Sequence, residues 1–317
     1  MPRPVQSTDR MRGYSMSRFS PYVDKRKSLS EAAQLIQSGN IVALGGGLCG
    51  RLPMALVREM IRLDRHDLHL VGSAHSIDVD MLVAAGSVAV CEESYVGFEQ
   101  DLGLAPAFRL AATSGTIEVR ESCCATILTQ LRAAEMGVPF LPVRGVKGTG
   151  IANLHPEYGQ IECPFTGEKL TAVPPLVPDV ACIHAPLGDR YGNLHIDQPF
   201  VLDERFASAS TRVVATVESV ESPETVAAAG IVIPGHLVTA VAEVPFGAHP
   251  SSCYPQYAYD RVHLRTYLDA AKQGPEAVSA YLERYVYRGE ESYRQEIDAQ
   301  RLTGWSGSTQ QWQELFQ

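Results

Sequence analysis

Gly45, Gly46, Gly47 and Gly50 place four glycines in six residues, with Arg51 directly after them. The spacing satisfies G-x-G-x-x-G, which cradles a pyrophosphate when a strand precedes it and a helix is already running at its third glycine. Pro53 opposes that reading, because a proline inside the helix would remove a hydrogen bond and clash with the preceding turn. The next apolar run leads to His75, where a ribose would need Asp or Glu, and Gly50 is followed by Arg51 and Leu52, not by a Walker lysine. What remains is a wide turn at a helix start, either purely structural or with backbone N–H groups facing an oxyanion or a thioester carbonyl. Arg51 then either pairs with a substrate carboxylate or sits on the surface. Ser73 and His75 close the second apolar run, where they can hydrogen-bond a substrate or their own loop. Glu93 and Tyr95 follow the third run, and a carboxylate held there can orient a bound acid or serve packing alone.

Other chemistries lack their signatures. His66 and His69 sit three apart in a polar turn, and nothing resembles H-E-x-x-H or paired C-x-x-C, so no metal is expected. No G-x-S-x-G elbow supports a serine hydrolase. His184, Asp189 and Asn193 read as a hydrogen-bonded turn with Gly192 supplying positive φ, and Glu218 and His249 as structural. The seven cysteines are an odd number without the density of a disulfide scaffold, which points to free thiols in a reducing compartment. Cys123 and Cys124 read as small buried apolar residues.

These residues need a frame, and short apolar runs alternating with helical patterns supply one: an α/β protein with an open, mostly parallel sheet flanked by helices. Ser28 with Glu31 forms a capping box ahead of a helix over 29–37, and strands are expected at 41–44 and 68–71. Pro53 opens a helix through about Arg65. Further strands are expected at 88–91, 116–119, 181–184, 213–217 and 238–244, and helices at 79–85, 125–136 and 223–229. A polar, helical C-terminal section spans 262–301 and caps the sheet. Residues 139–178 are rich in Pro and Gly and read as long loops around a site or an interface.

The 317 residues are 45% hydrophobic, enough for one large domain, expected over 28–317. The formal charge of −9 and a pI near 5.5 argue against a nucleic-acid partner, and no run approaches ~18 consecutive apolar residues. A cytoplasmic enzyme is the plain reading. Residues 1–27 carry Arg3, Arg10, Arg12, Arg18, Lys25, Arg26 and Lys27 against Asp9 and Asp24 and read as a disordered basic extension. They show neither the apolar core of a secretory signal nor the amphipathic periodicity of a transit peptide.

The run Ile41-Val-Ala-Leu-Gly-Gly-Gly-Leu-Cys-Gly-Arg-Leu-Pro-Met-Ala55 resembles the glycine signature that opens the alpha subunit of family I CoA transferases. Glu93-Ser-Tyr-Val-Gly-Phe-Glu99, continuing through Gly103-Leu-Ala-Pro-Ala-Phe-Arg109, resembles the glutaconate CoA-transferase A-subunit branch. Arg132 to Phe140 with Arg144-Gly145, then His184-Ala185 with Asp189 to Asn193, then Pro245 with Gly247 to Pro250, follow in the family's order. The resemblance covers about residues 28–300.

It implies an alpha subunit that shapes an acyl-CoA pocket, for which the candidate lining residues of this sequence are Gly45, Gly46, Gly47, Gly50, Arg51, Ser73, His75, Glu93, Tyr95 and Arg144. Coenzyme A enters as substrate, no cofactor is permanently bound, and a beta subunit completes a heterodimer or heterotetramer. The family's nucleophilic glutamate lies in a Ser-Glu-Asn-Gly type motif, which this chain lacks, so the partner is expected to supply it. Three other readings stay open. A CoA-dependent ring-opening hydrolase on this scaffold would want its own acid or base near the acyl group, where Arg120-Glu-Ser-Cys-Cys-Ala125 offers only Glu121. A homo-oligomer would draw its nucleophile from Glu93, Glu99, Glu121 or Glu218. A non-catalytic ligand sensor would want an appended DNA-binding element, which the basic segment does not supply.

Overall fold

The computed structural model describes residues 23–98 and 102–303. The capping box forms: Ser28 Oγ accepts the Glu31 N–H at 3.3 Å, and Glu31 Oε2 accepts the Ser28 N–H at 2.9 Å. It opens α1 (Leu29–Ala33), shorter than expected because the chain turns from Gln34. In chain order follow β1 (Ile41–Leu44), α2 (Met54–Arg62), β2 (Leu68–Val71), β3 (Ala74–His75), α3 (Ile77–Ala84), β4 (Val88–Glu92), β5 (Tyr95–Val96), α4 (Pro106–Ser114), β6 (Glu118–Val119) and α5 (Cys124–Met136). An excursion through β7 (Leu141–Val143), β8 (Gly159–Glu162) and β9 (Lys169–Val173) then returns the chain to β10 (Val180–Asp189), β11 (Leu194–His195), α6 (Asp203–Ala209), β12 (Arg212–Glu221), α7 (Pro223–Ala229) and β13 (Ala240–Glu243). Four helices close the described chain: α8 (Arg261–Gln273), α9 (Pro275–Tyr285), α10 (Glu290–Gln295) and α11 (Ala299–Leu302).

The main sheet runs β13-β12-β10-β1-β2-β4-β6, parallel throughout, with β11 antiparallel against β10. Both faces are covered, as a parallel sheet requires. On one, Val42 and Leu44 of β1 join a core with Leu56 and Met60 of α2, Leu82 of α3, Leu264 of α8 and Val278 of α9. On the other, Ile41 and Ala43 pack with Ile127 and Leu131 of α5 and Phe206 of α6. The chain builds outward from β1 to β6 on one side and later from β10 to β13 on the other. The topological switch point therefore lies between β1 and β10, and ligands of open α/β sheets bind at the carboxyl ends of the strands there. The glycine run leaves β1 at that point.

Several expectations need correction. The segment 139–178 is not only loop: β7, β9 and β8 form a separate antiparallel sheet. Strand β8 is largely exposed and β9 mostly half-buried, so β8 carries Gln160 and Glu162 and β9 opens on Lys169 instead of an apolar alternation, and Pro142 is tolerated because β7 is an edge. Helices α4 and α6 were not expected. Strands β10 and β12 reach 10 residues each, well past the short apolar runs that marked them. The C-terminal section breaks at Gly274 and Gly289. Lys25 and Lys27 exchange backbone hydrogen bonds with Val241, so this end of the basic segment is attached to the edge of the sheet; residues 1–22 lie outside the described residues. Cys123 is half-buried and Cys124 exposed, contrary to the buried reading of both.

Candidate active site

The glycine turn is built by a buried ion pair that the sequence did not disclose. Asp203, at the start of α6, accepts the Gly46 N–H at 3.0 Å through Oδ1 and receives both Arg51 NH groups at 3.1 Å, one on each oxygen. Arg51 and Asp203 are almost fully buried, and Pro199 O takes a further Arg51 N–H at 3.3 Å. Arg51 is therefore neither on the surface nor turned to a substrate, the two readings its place at the helix start left open; it neutralises the acid that holds the turn. Gly46 has φ +75°, and a Cβ there would collide with the Gly50 and Arg51 carbonyl oxygens.

The turn's amides are committed to the protein. Gly45 N–H donates to Cys182 O at 2.9 Å, Gly47 and Gly50 bond each other at 3.0 and 2.9 Å, Leu48 donates to Ala74 O at 2.8 Å and Arg51 to Ser252 O at 2.7 Å. Gly45, Gly46, Gly47 and Gly50 thus do not turn these N–H groups toward a ligand, contrary to the oxyanion reading. The turn is a rigid wall of the site, and Leu48 (φ 50°) and Arg51 (φ 52°) are held in the left-handed region by these bonds.

Two buried side chains with unsatisfied polar atoms, His75 and Glu93, lie just past the carboxyl ends of β2 and β4. His75 is fully buried; its Nδ1 meets Asp78 Oδ2 at 2.5 Å, while Nε2 has no protein partner. Glu93 is 5% exposed and neither carboxylate oxygen is hydrogen-bonded. The two side chains converge over Gly72, where a Cβ would collide with the Glu93 carboxylate and lie 2.7 Å from His75 Nε2. Burial pushes the Glu93 carboxyl up to about 8, with Asp78 and Glu92 adding repulsion. Burial works against the charged imidazole, but the Glu93 and Asp78 carboxylates outweigh it and raise His75 to about 9.

Ser73 meets Cys124 at the start of α5: Ser73 Oγ lies 3.1 Å and Ser94 Oγ 2.8 Å from the Cys124 sulfur. Tyr95 is exposed, with its ring against Gly97 and its hydroxyl donating to Phe98 O at 3.4 Å. Arg144 does not join the group; it is exposed in the small antiparallel sheet region and bonds Glu168 at 2.7 Å. The structure therefore brings Ser73, His75, Glu93 and the glycine turn together, leaves Tyr95 at their rim, and assigns Arg51 and Arg144 to protein carboxylates.

A second constellation lies at β10 and β12. Glu218 accepts His184 Nε2 and the Tyr257 hydroxyl at 2.7 Å each on Oε1, and the Phe246 N–H at 2.7 Å on Oε2. Donor atoms of His184, Glu218 and Cys253 lie within 4.8 Å of one another, a separation a metal could bridge. The carboxylate already accepts three protein hydrogen bonds and His184 Nδ1 meets Thr216 Oγ1 at 2.9 Å, so a structural network describes it best.

The coenzyme A transferase family signature matches residues 26–244. The glutaconate CoA-transferase A-subunit of Acidaminococcus fermentans is 31% identical over 304 residues, covering 88% of this chain and 94% of that one. The crystal structure of that transferase superposes with a TM-score of 0.83 over the same shares. A cholesterol ring-cleaving hydrolase IpdA subunit of Rhodococcus jostii is 32% identical over 282 residues, 86% of this chain and 95% of that one. An uncharacterized protein of Archaeoglobus fulgidus is 35% identical over 273 residues, and the chain spans 60% of its length. The chain belongs to the coenzyme A transferase family. Within that family it is about as similar to the glutaconate CoA-transferase A-subunit as to the IpdA hydrolase subunit.

Proposed function

We propose that the chain is the alpha subunit of an acyl-CoA:carboxylate CoA transferase that takes a short or dicarboxylic acyl-CoA, with a beta subunit supplying the nucleophilic glutamate. In that chemistry a glutamate carboxylate attacks the thioester carbonyl, the C–S bond breaks and CoA leaves as thiolate, giving an enzyme anhydride. The thiolate then attacks the enzyme side of the anhydride, releasing the first acid and leaving a glutamyl-CoA thioester from which the second acid collects CoA. One observation carries the division of labour. Of the glutamates a self-contained enzyme would draw on, Glu218 is tied by three hydrogen bonds and Glu93 is buried with its affinity for a proton raised, so neither is suited to open the reaction; Glu121 is exposed, and Glu99 lies outside the described residues. Beside the glycine turn, Phe200 and Val201 remain 53% and 41% exposed, an apolar rim suited to a partner or to the pantetheine arm.

Copurification from the native source, followed by a CoA-exchange assay between two carboxylic acids, tests this reading. A stoichiometric second chain carrying a Glu nucleophile motif, required for exchange, is expected; exchange by this chain alone contradicts it. The Rhodococcus relative and the acid–base character of Glu93 and His75 favour a second reading, a subunit of a CoA-dependent ring-opening hydrolase. Consumption of a cyclic acyl-CoA by water, with no acceptor acid present, would select it.

A further inference from the structure

The transfer of CoA through a partner's glutamate gives Asp78, His75 and Glu93 no task, yet the fold buries all three. Asp78 and His75 are 0% exposed and Glu93 5%. Orphaned buried polar atoms such as His75 Nε2 and the Glu93 oxygens cost stability, and an apolar or amide side chain at position 93 would avoid that cost.

We propose that Asp78, His75 and Glu93 form a proton-holding relay that positions the strap Gly72–Ser76 against the glycine turn, making His75 and Glu93 positioning residues for the acyl-CoA site. The geometry runs in one direction. Asp78 fixes the imidazole through Nδ1 at 2.5 Å, and Nε2 and the Glu93 carboxyl approach over Gly72, whose missing side chain leaves the room, with no hydrogen bond joining them. The strap in turn carries the turn: Ala74 O accepts the Leu48 N–H at 2.8 Å and Ser76 Oγ donates to Leu48 O. It also holds the rim, because Ser73 O accepts the Ser94 and Tyr95 N–H groups at 3.1 Å each and His75 O the Gly97 N–H at 2.9 Å. A displacement of His75 is therefore transmitted to both walls of the site.

The charges that decide its state are few. Glu93 is faced by His75, Asp78 and Glu92, and His75 by Glu93, Asp78 and Asp203. With both groups protonated, imidazolium balances Asp78 and the Glu93 carboxyl is neutral. Once Glu93 and then His75 lose their protons, Glu93, Asp78 and Glu92 repel one another in a buried space. Both groups bind protons more tightly in the folded chain, so their contribution to stability is complete below the unfolded carboxyl range and is lost as the pH rises through about 8 and then about 9.

Glu93→Gln separates a positioning role from a packing role. The inference uses the transferase reading only for its activity arm; the others are measured on the chain itself. The variant is expected to flatten the decline of Tm between about pH 5 and pH 8 and to be at least as stable as the parent at pH 8. In the native assembly it is expected to lower kcat about a hundredfold with a smaller change in KM, and Glu93→Asp to recover part of the loss. A Glu93→Gln chain that is less stable at pH 8, or that keeps the parent's kcat and pH profile, overturns the proposal. Should the variant fail to fold, carboxyl carbon NMR of the parent chain decides: one glutamate titrating near pH 8 supports the relay, and all titrating in the ordinary carboxylate range overturn it. A parent assembly without CoA exchange would sink the transferase reading while leaving the stability and NMR arms to judge the relay.

Discussion

Asp203 shows how one residue can decide the shape of a site without touching the reaction. It anchors the Gly46 amide and neutralises Arg51, both away from water. Removing one member of a buried ion pair strands the other charge, so Asp203→Ala should lower stability by about 3–5 kcal/mol, measured by urea unfolding. A double variant in which Arg51 is also replaced by Met should recover part of that loss; an Asp203→Ala chain of unchanged stability would show that the pair is dispensable. The sequence displayed Arg51 prominently and gave no sign of Asp203, because the two are 152 positions apart and only the fold joins them. His75 and Glu93 were legible as candidates from their place after apolar runs. That His75 Nε2 and the Glu93 oxygens are left without partners was not, since it depends on where the fold sets them over Gly72.

At the scale of elements, the C-terminal helices are more than a solvated cap. Arg58 of α2 reaches Glu290 of α10 and the His249 carbonyl, and its guanidinium lies 3.7 Å from the centre of the Tyr293 ring. Tyr267 of α8 donates to Asp80 of α3 at 2.8 Å. His263 sits in this layer with Tyr281, and burial, reinforced by neighbouring His249, lowers it to about 3. Asp260 acts in the opposite sense, and Arg58 and Arg284 in the same one. A lowered imidazole binds its proton more weakly in the folded state, so its contribution is complete above the unfolded histidine range and is lost as the pH falls from about 6.5 toward 3. Protection factors in α8 and α9, taken relative to the intrinsic exchange rate at each pH, should therefore fall on acidification, and His263→Gln should remove part of that fall; protection factors independent of pH across the window would contradict the assignment. Element type was readable from the sequence wherever burial imposed a pattern, as in β1, β2 and α5. It was lost in β8, where an exposed strand carries polar side chains, in the half-buried β9, and in α4, no residue of which is fully buried.

At the scale of the molecule, a parallel sheet with its switch point at β1 and β10 directs the glycine turn, the strap and the rim residues toward one end of the fold. Among the described residues no helix is long and apolar enough to cross a membrane. The resemblance read from ordered motifs agrees with the family match over residues 26–244. The fold was legible because the strands and crossovers repeat a simple pattern; the commitment of the turn's amides was not, because their acceptors come from Cys182, Asp203 and Ser252 on distant segments. The proposed reaction is divided between two chains, with walls here and the nucleophile on the partner. The most direct test is to incubate the native assembly with acyl-CoA, trap the enzyme-bound CoA thioester, and map the modified residue by peptide mass spectrometry. The adduct is predicted on a glutamate of the second chain; an adduct on a glutamate of this chain would contradict that division.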